Sequence, residues 1–293
     1  MVVIEYEAPG TLDEAIRLLV ECKDKPAKVM AGGTDLIIQL RSQVNNPHLL
    51  VDLKKIPGMT DASISGKGAF IGPAMNCAEL SAREDIRSLF PGLVEAAHLI
   101  GSTQVQGRAS VGGNLCNSSP AADTIPALFA VNAQCLIQGP GGERTVPVTE
   151  FVTGVGKNCL ARGEILAKLL IPLPQAGTAD AYLRFIPRTE MDIAVAGAGV
   201  SITLASDGTC TAARVAIGAV ATTALLVPAA AEALVGSKLD ESALKAAAAA
   251  ASLASRPIND RRGTIEFRKH IVGVLTSRAA VIAAGRAKEK LNV

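Results

Sequence analysis

Two glycine pairs are the residues whose type and spacing best suit binding chemistry. The first is Gly32-Gly33, within residues 31–36, and the second is Gly112-Gly113, within residues 101–114. A glycine has no Cβ, so it adopts a positive φ and lets a ligand approach successive backbone N–H groups. Donors of this kind bind anions. Both pairs therefore indicate backbone cradles for a ligand that carries phosphate.

The neighbours of the first pair strengthen this interpretation. Residues 27–31 form an apolar run typical of a strand, and residues 35–41 have the pattern of a helix, with Thr34 or Asp35 as its N-cap. The first turn of a helix has free N–H groups and a positive potential. The sequence thus predicts a strand, a loop and a helix N-terminus directed at a phosphate.

The second pair lies in a run with few large apolar side chains, although 49% of the chain is hydrophobic. A segment with so little to bury is better explained by a ligand than by a core. For either pair alone, the alternative is an ordinary tight turn. Neither run has the dinucleotide fingerprint or the P-loop spacing, which argues against a Rossmann NAD site and an NTPase.

Elements on both sides of the two runs are predicted from local patterns. Thr11 and Glu14 form a capping box at the start of a helix over residues 12–21. The other predicted elements are a turn at 45–47, strands at 2–7, 49–53, 69–72, 164–172, 193–204 and 209–220, a hairpin of 135–138 with 145–148, and helices at 92–100, beyond Asp123 to 130, 228–234, 241–255 and 265–291. The helix over 92–100 leads the chain into the second glycine run.

Composition excludes several classes of function. The net charge is +2, the basic residues are dispersed, and aromatic residues make up 3% of the chain, which argues against nucleic-acid binding. No apolar stretch is long enough to span a membrane, and residues 1–7 lack the features of a signal peptide, so we expect a cytoplasmic protein. The six cysteines are scattered without a C-x-x-C motif, and no catalytic or metal-ligand constellation is recognised. Cys116 follows the second pair closely, but a small residue packed beside the loop explains it.

Taken together, residues 31–36, Gly101-Ser102, 110–114 and 119–123 resemble the FAD-binding medium subunit of molybdenum hydroxylases, the family of xanthine dehydrogenase and carbon monoxide dehydrogenase. Residues 164–166, 188–194 and 216–219 lie where that family has its later landmarks, so the resemblance covers nearly the whole chain. It implies FAD in this chain. It also implies a molybdenum cofactor in a large molybdopterin-binding subunit and [2Fe-2S] clusters in a small iron–sulfur subunit, joined as a dimer of heterotrimers.

The resemblance also implies a fold and a function. The fold would be α+β, with a two-part FAD-binding α/β domain of the PCMH/VAO type at 1–57 and 58–175. A C-terminal α+β domain of the CO dehydrogenase flavoprotein type would follow at 176–293. The chain would be the electron-transfer subunit of an oxidoreductase, taking electrons from the partner clusters and passing them to an external acceptor. The alternatives are a stand-alone FAD-dependent oxidoreductase of the same fold and a nucleotide-binding sensor or assembly module.

By the same resemblance, the glycine pairs would hold the pyrophosphate, and Thr34, Ser110 and Asn114 would add side-chain donors. Asp123, which has no cationic neighbour in the sequence, would bind a hydroxyl of the sugar or ribityl chain. Leu36, Ile100 and Leu166 would line the flavin pocket, unless they are ordinary core residues. Arg184 stands where many relatives have lysine, and would place a guanidinium near the flavin. The complete set of expected cofactor-binding residues is Val29, Met30, Ala31, Gly32, Gly33, Thr34, Asp35, Leu36, Ile100, Ser110, Val111, Gly112, Gly113, Asn114, Asp123, Leu166 and Arg184.

Overall fold

The computed structural model describes residues 4–22, 26–41 and 49–291, so the turn predicted at 45–47 lies outside the described residues. The N-terminal part comprises β1 (Glu5–Glu7), α1 (Leu12–Glu21), β2 (Ala27–Met30), α2 (Leu36–Arg41) and β3 (Leu49–Asp52), followed by a 3-10 turn (Leu53–Lys55). Its strands form a parallel sheet in the order β1-β3-β2. The predicted strand, loop and helix around Gly32-Gly33 are therefore confirmed.

Helix α1 covers one face of this small sheet. The Thr11 hydroxyl accepts a hydrogen bond from the Glu14 N–H at 3.2 Å, as the capping box predicts. The Glu14 carboxylate reaches one residue further back than expected and accepts from the N–H of Gly10 at 3.0 Å. Ala15, Ile16 and Leu19 form the buried stripe of the helix.

The second part contains an antiparallel sheet and the helices that carry the second glycine run. Its elements are β4 (Ala62–Ser65), β5 (Gly68–Ile71), α3 (Cys77–Ala82), α4 (Glu84–Leu89), α5 (Pro91–His98), α6 (Thr103–Gln106), α7 (Val111–Asn117), α8 (Thr124–Ala130), β6 (Gln134–Gly139), β7 (Gly142–Pro147), α9 (Val148–Phe151), β8 (Val152–Gly154), β9 (Lys157–Asn158) and β10 (Ile165–Ile171). The main sheet has the order β4-β5-β10-β6-β7. The predicted hairpin is β6-β7, and the predicted strand at 164–172 is β10. Leu80, Leu115, Leu128 and Ile137 lie in the shared core.

The C-terminal part is a sheet covered by long helices. It comprises β11 (Thr178–Phe185), β12 (Ala196–Leu204), β13 (Cys210–Gly218), β14 (Leu225–Leu226), α10 (Pro228–Leu234), α11 (Glu241–Ala254) and α12 (Ile265–Leu291), with the strands antiparallel in chain order. A Cβ on Gly273 would lie 2.9 Å from the carbonyl oxygen of Ala248, which shows how closely α11 and α12 pack. This close packing accounts for the many alanines in both helices. In the part of the chain that the structure describes, no helix combines the length and apolarity needed to cross a membrane.

The separate sheets and helices confirm the α+β class. Each of the three larger sheets takes its strands from one of the three predicted segments, while the segment boundaries themselves remain a prediction. The strand predicted at 193–204 begins later, at Ala196, and pairs with β13, the strand predicted at 209–220.

Helix α5 connects the second part to the C-terminal sheet. A Cβ on Gly92 would lie 2.7 Å from the backbone of Ala181, so the helix rests directly on β11. The carboxylate of Asp180 accepts a hydrogen bond from the Leu93 N–H at 3.0 Å. Glu95 accepts from the N–H of Tyr182 at 3.3 Å and is ion-paired with Arg286 of α12. These contacts fix the C-terminal sheet against the helix that leads into the second glycine run.

The buried carboxyl of Asp180 should make this connection sensitive to pH. Burial raises the pKa of Asp180 to about 6, even though the N–H groups of Gly92 and Leu93 favour the carboxylate. Between about pH 4 and pH 6, the Asp180 carboxyl is therefore protonated in the folded chain and ionised in the unfolded chain. When the folded state binds more protons than the unfolded state, the free energy of unfolding decreases as pH rises.

We expect the free energy of unfolding of the wild type, relative to Asp180→Asn, to fall by about 3 kcal/mol between about pH 4 and pH 6 and to level off above pH 7. The variant is the reference because it removes the titrating group and leaves all the others in place. Urea unfolding of both proteins at several pH values measures the difference. A difference that stays constant, or that grows with pH, contradicts the assignment.

Candidate functional site

A cleft lies where the two glycine runs meet. Its volume of about 270 Å³ is near the small end of ligand pockets, which span roughly 300–1,000 Å³. An elongated ligand would therefore extend beyond it. The expected site residues that line it are Val29, Met30, Ala31, Gly32, Gly33, Thr34, Asp35, Leu36, Ile100, Ser110, Gly112, Gly113, Asn114 and Leu166.

Two of the four glycines are needed for contacts within the protein. A Cβ on Gly32 would clash with the carbonyl group of Arg108, and a Cβ on Gly112 would clash with Pro73. Gly32 thereby brings the first run against the second, and Gly112 brings α7 against the chain that precedes α3. Substitutions at either glycine would test folding before they tested ligand binding.

Gly112-Gly113 lies in a helix, α7, whereas the sequence predicted a loop there. Ser110 is the N-cap of α7, and its hydroxyl accepts a hydrogen bond from the Gly113 N–H at 3.1 Å. Burial of Val111 and Leu115 holds this short helix in place although it contains two glycines. The N–H of Gly113, expected to contact phosphate, is therefore used inside the helix. Within the described ranges, the N–H of Gly112 makes no hydrogen bond.

For the other two glycines, Gly33 and Gly113, the atoms nearest to a Cβ position belong to side chains. Gly33 has a φ of +80°, so the positive φ expected at the first pair is present. A Cβ on Gly113 would meet the capping hydroxyl of Ser110 at 2.9 Å, and the next atom, the Cβ of Ala31, lies 3.8 Å away. Gly113 therefore leaves open space between the two runs that a side chain would occupy.

The start of α2 provides backbone donors at the same cleft. The N–H of Ile37 donates to the Gly33 carbonyl at 2.9 Å and closes the first turn. The N–H groups of Thr34, Asp35 and Leu36 make no hydrogen bond to any described residue. Such donors at a helix start bind anions.

Polar side chains that the sequence analysis missed span the cleft. The side-chain amide of Gln39 donates to the Asn117 side-chain oxygen at 3.1 Å, which joins α2 to α7. Asn158 donates to the carbonyl oxygen of Cys116 at 3.0 Å. The expected donor Asn114 uses its side-chain oxygen to accept from the Thr124 hydroxyl at 2.7 Å. Asn117 lies between the motif residues 110–114 and 119–123, whereas Gln39 and Asn158 lie outside the motifs. No local signal therefore indicated Gln39 or Asn158.

Three expected residues lie outside the wall of the cleft. Val111 is fully buried and does not line the cleft. Asp123 forms an ion pair with Arg184, with 2.7 Å between carboxylate and guanidinium, and accepts from the hydroxyl of Tyr182 at 2.9 Å. The cationic partner of Asp123 thus lies 61 residues away in the chain, where no neighbour in the sequence could indicate it. Contacts of Val111, Asp123 and Arg184 with a cofactor remain predictions.

Burial dominates the electrostatics of this pair. It raises the pKa of Asp123 to about 6, against the opposing effects of Arg184 and the Tyr182 hydroxyl. Burial, followed by the charge of Asp123, also raises the pKa of Tyr182. The Nε of Arg184 has no hydrogen-bond partner among the described residues.

The wall of the cleft offers little chemistry of its own. Glu164 is held by Arg144 in a two-bond pair at 2.7 Å, and this hydrogen bonding keeps the pKa of its carboxyl low. Burial raises the pKa of the Cys116 thiol to about 12, so it stays protonated and is a poor nucleophile. Within the described ranges, no three His, Cys, Asp or Glu residues come together to hold a metal ion. The arrangement is suited to binding a ligand through backbone donors.

Two family models cover most of the chain. Residues 2–174 match the FAD binding domain in molybdopterin dehydrogenase, and residues 181–282 match the CO dehydrogenase flavoprotein C-terminal domain. The first match contains both glycine runs, and the second contains Arg184.

Similar curated proteins are the nicotinate dehydrogenase FAD-subunit of Eubacterium barkeri and the carbon monoxide dehydrogenase medium chain of Hydrogenophaga pseudoflava. The first is 31% identical over 245 residues, which is 83% of this chain and 83% of the relative. The second is 31% identical over 282 residues, 96% of this chain and 97% of the relative. A solved carbon monoxide dehydrogenase from Hydrogenophaga pseudoflava matches with a TM-score of 0.92 and 33% identity, covering 97% of this chain and 98% of that chain. These two relatives are named for different substrates, and the chain is 31% identical to each of them. The identities therefore favour neither substrate.

Proposed function

The chain belongs to the FAD-binding subunits of the molybdenum hydroxylases, which are oxidoreductases, and from this membership we propose that it holds FAD in the cleft and transfers electrons. The electrons would come from iron–sulfur clusters of a partner subunit and leave to an external acceptor. The observation that carries the proposal is the meeting of two glycine runs at a cleft with unpartnered backbone donors. A cleft of this kind binds a cofactor that brings its own chemistry.

The residues present fit the pyrophosphate of FAD. The free N–H groups of Thr34, Asp35 and Leu36 are neutral donors at a helix start, where a phosphate is stabilised. The N–H of Gly112 is a further donor on the facing helix. Gly113 leaves the space between them open, so a backbone-bound anion has room.

The apolar side of the cleft fits the flavin ring. Leu36, Ile100 and Leu166 line it, as does Leu160. Bound there, FAD would supply the electron-carrying chemistry that the side chains lack. The protein's own contribution is to orient the cofactor and to keep water from its apolar face.

We also propose that this chain assembles with a large molybdopterin-binding subunit and a small iron–sulfur subunit as a dimer of heterotrimers in the cytoplasm. The support for partners is that similar proteins are named as the FAD-subunit or medium chain of a dehydrogenase. Free thiols at Cys77, Cys116, Cys135, Cys159 and Cys210 suit a reducing compartment.

Gentle purification of the tagged chain from its native host tests this function. We expect flavin bands overlaid on broad iron–sulfur absorption, with two further chains that co-purify and are absent from an untagged control. Flavin bands without partner chains would instead indicate a stand-alone flavin oxidoreductase. A colourless protein would contradict FAD binding altogether.

A further inference from the structure

An ion pair between Lys54 and Asp52 lies beside the first glycine run and contacts its backbone. The ammonium of Lys54 donates to the two carboxylate oxygens of Asp52 at 2.6 and 2.7 Å and to the carbonyl oxygen of Ala31 at 2.8 Å. Ala31 directly precedes Gly32 and lines the cleft, whereas Lys54 does not line it. Lys54 therefore contacts the backbone of the first glycine run from outside the cleft.

All three strands of the parallel sheet hold this ion pair in place. Asp52 ends the central strand β3, opposite Met30 at the end of β2. From β1, the hydroxyl of Tyr6 donates to the Asp52 carboxylate at 2.6 Å. Burial by itself would raise the pKa of Asp52, but the hydrogen bonds from Lys54 and Tyr6 hold it below its ordinary value. The Asp52 carboxyl thus stays ionised at neutral pH.

The contacts of Lys54 are made within the protein. Its ammonium contacts the two carboxylate oxygens of Asp52 and the carbonyl oxygen of Ala31. Its charge is compensated by Asp52, which is 5% exposed. Because Lys54 does not line the cleft, an effect of Lys54 on ligand binding is expected to pass through the Ala31 carbonyl.

Peptide geometry shows what holding that carbonyl achieves. The C=O of Ala31 and the N–H of Gly32 belong to one planar peptide group, in which a trans bond points them in opposite directions. Lys54 therefore fixes the N–H of Gly32 on the side of the peptide away from the ion pair. This N–H makes no hydrogen bond within the described residues, and packing of Gly32 on Arg108 limits rotation of the peptide.

We propose that Lys54 is a positioning residue, which orients the Ala31–Gly32 peptide so that the N–H of Gly32 is presented to the pyrophosphate of FAD. The inference rests on the proposed function. It assigns to this lysine a role in cofactor binding without contact to the cofactor.

The test compares Lys54→Met with Lys55→Met in the full chain after removal of FAD. Lys55 is the matched control, because it lies in the same 3-10 turn, is exposed, and makes no side-chain hydrogen bond to a described residue. Flavin fluorescence titration gives the dissociation constant for FAD. We expect binding to weaken about ten- to a hundredfold in Lys54→Met, as for the loss of a hydrogen bond to a charged group, and to remain unchanged in Lys55→Met.

A double variant separates positioning from stability. Lys54→Met alone leaves Asp52 buried without its cation, which destabilises the fold. Asp52→Asn together with Lys54→Met removes that charge, so this protein should regain thermal stability. If Lys54 positions the peptide, the double variant still binds FAD weakly, and the ³¹P resonances of its bound FAD are shifted from those of the wild type.

Each outcome decides the question. Equal affinities in Lys54→Met and Lys55→Met overturn the inference and leave the proposed function intact. Recovery of wild-type affinity in the double variant also overturns it, because the lysine would then act only through stability. Failure of the wild-type chain to bind FAD overturns both the inference and the proposed function.

Discussion

Replacing Gly113 with valine is expected to yield a folded protein that has lost FAD. The added side chain would occupy the space between α7 and the first glycine run, where only the Ser110 hydroxyl and Ala31 lie within 4 Å of a Cβ. Valine is no worse than glycine for the helix itself, since glycine has the lower helix propensity. We therefore expect affinity for FAD to fall about a hundredfold, the equivalent of about 3 kcal/mol, while displacement of the Ser110 cap lowers the free energy of unfolding by only about 1 kcal/mol.

Gly285→Val is the matched control for this experiment. Gly285 also lies within a helix, is exposed, and has no atom within 4 Å of a Cβ position. The control should fold and bind FAD as the wild type does. Flavin content after purification and titration of FAD into the stripped proteins measure both variants. Full occupancy in Gly113→Val would remove this part of the cleft from the cofactor site.

Replacing Arg184 with methionine is expected to cause a large decrease in the free energy of unfolding. The guanidinium is the cationic partner of Asp123, and both side chains are less than one-tenth exposed. Removing one member of a buried ion pair costs about 3–5 kcal/mol, because the other charge remains without compensation. Arg184→Lys should lose less because it keeps the charge but not the planar fork.

The same reasoning applies to Asp123→Ala. The resemblance implies that Asp123 binds the cofactor, but this variant would also leave Arg184 buried without its partner. The neutral double variant Asp123→Asn with Arg184→Met should recover most of the lost free energy of unfolding in a double-mutant cycle. Urea unfolding at pH 7 measures all of these proteins.

The loss in Arg184→Met should also depend on pH. Burial raises the pKa of Asp123, so the carboxyl takes up a proton below about pH 6 and no longer needs a cation. The destabilisation is therefore expected to shrink as pH falls from 7 to 5. Additive effects in the cycle, or a loss that grows at low pH, would contradict the buried pair.

Short-range patterns in the sequence were sufficient for much of the fold. Thr11 and Glu14 predicted the start of α1, because a helix cap depends on residues within one turn. The β6-β7 hairpin followed from two apolar runs around a glycine-rich turn. The glycine pairs indicated where a positive φ could occur, and Gly33 adopts one, because few other residues take that conformation in a tight turn. The combined motifs identified the family, and the comparisons confirmed it.

The tertiary structure decided what each motif residue does. The run around Gly112-Gly113 looked like a loop, but burial of Val111 and Leu115 and the Ser110 cap make it a helix. Asp123 meets Arg184, and Lys54 meets the carbonyl oxygen of Ala31, across 61 and 23 residues of chain.

The sequence by itself determined the elements and the family, since both depend on neighbouring residues and on recognisable motifs. It did not determine which backbone donors stay free, because a donor is free only when no distant group satisfies it. Nor did it determine which glycines are required for packing within the protein, because Gly32 is constrained by the carbonyl of Arg108, 76 residues further along the chain. Burial and long-range hydrogen bonds exist only once the chain has folded, so only the tertiary structure shows which donors are free and which glycines pack against backbone.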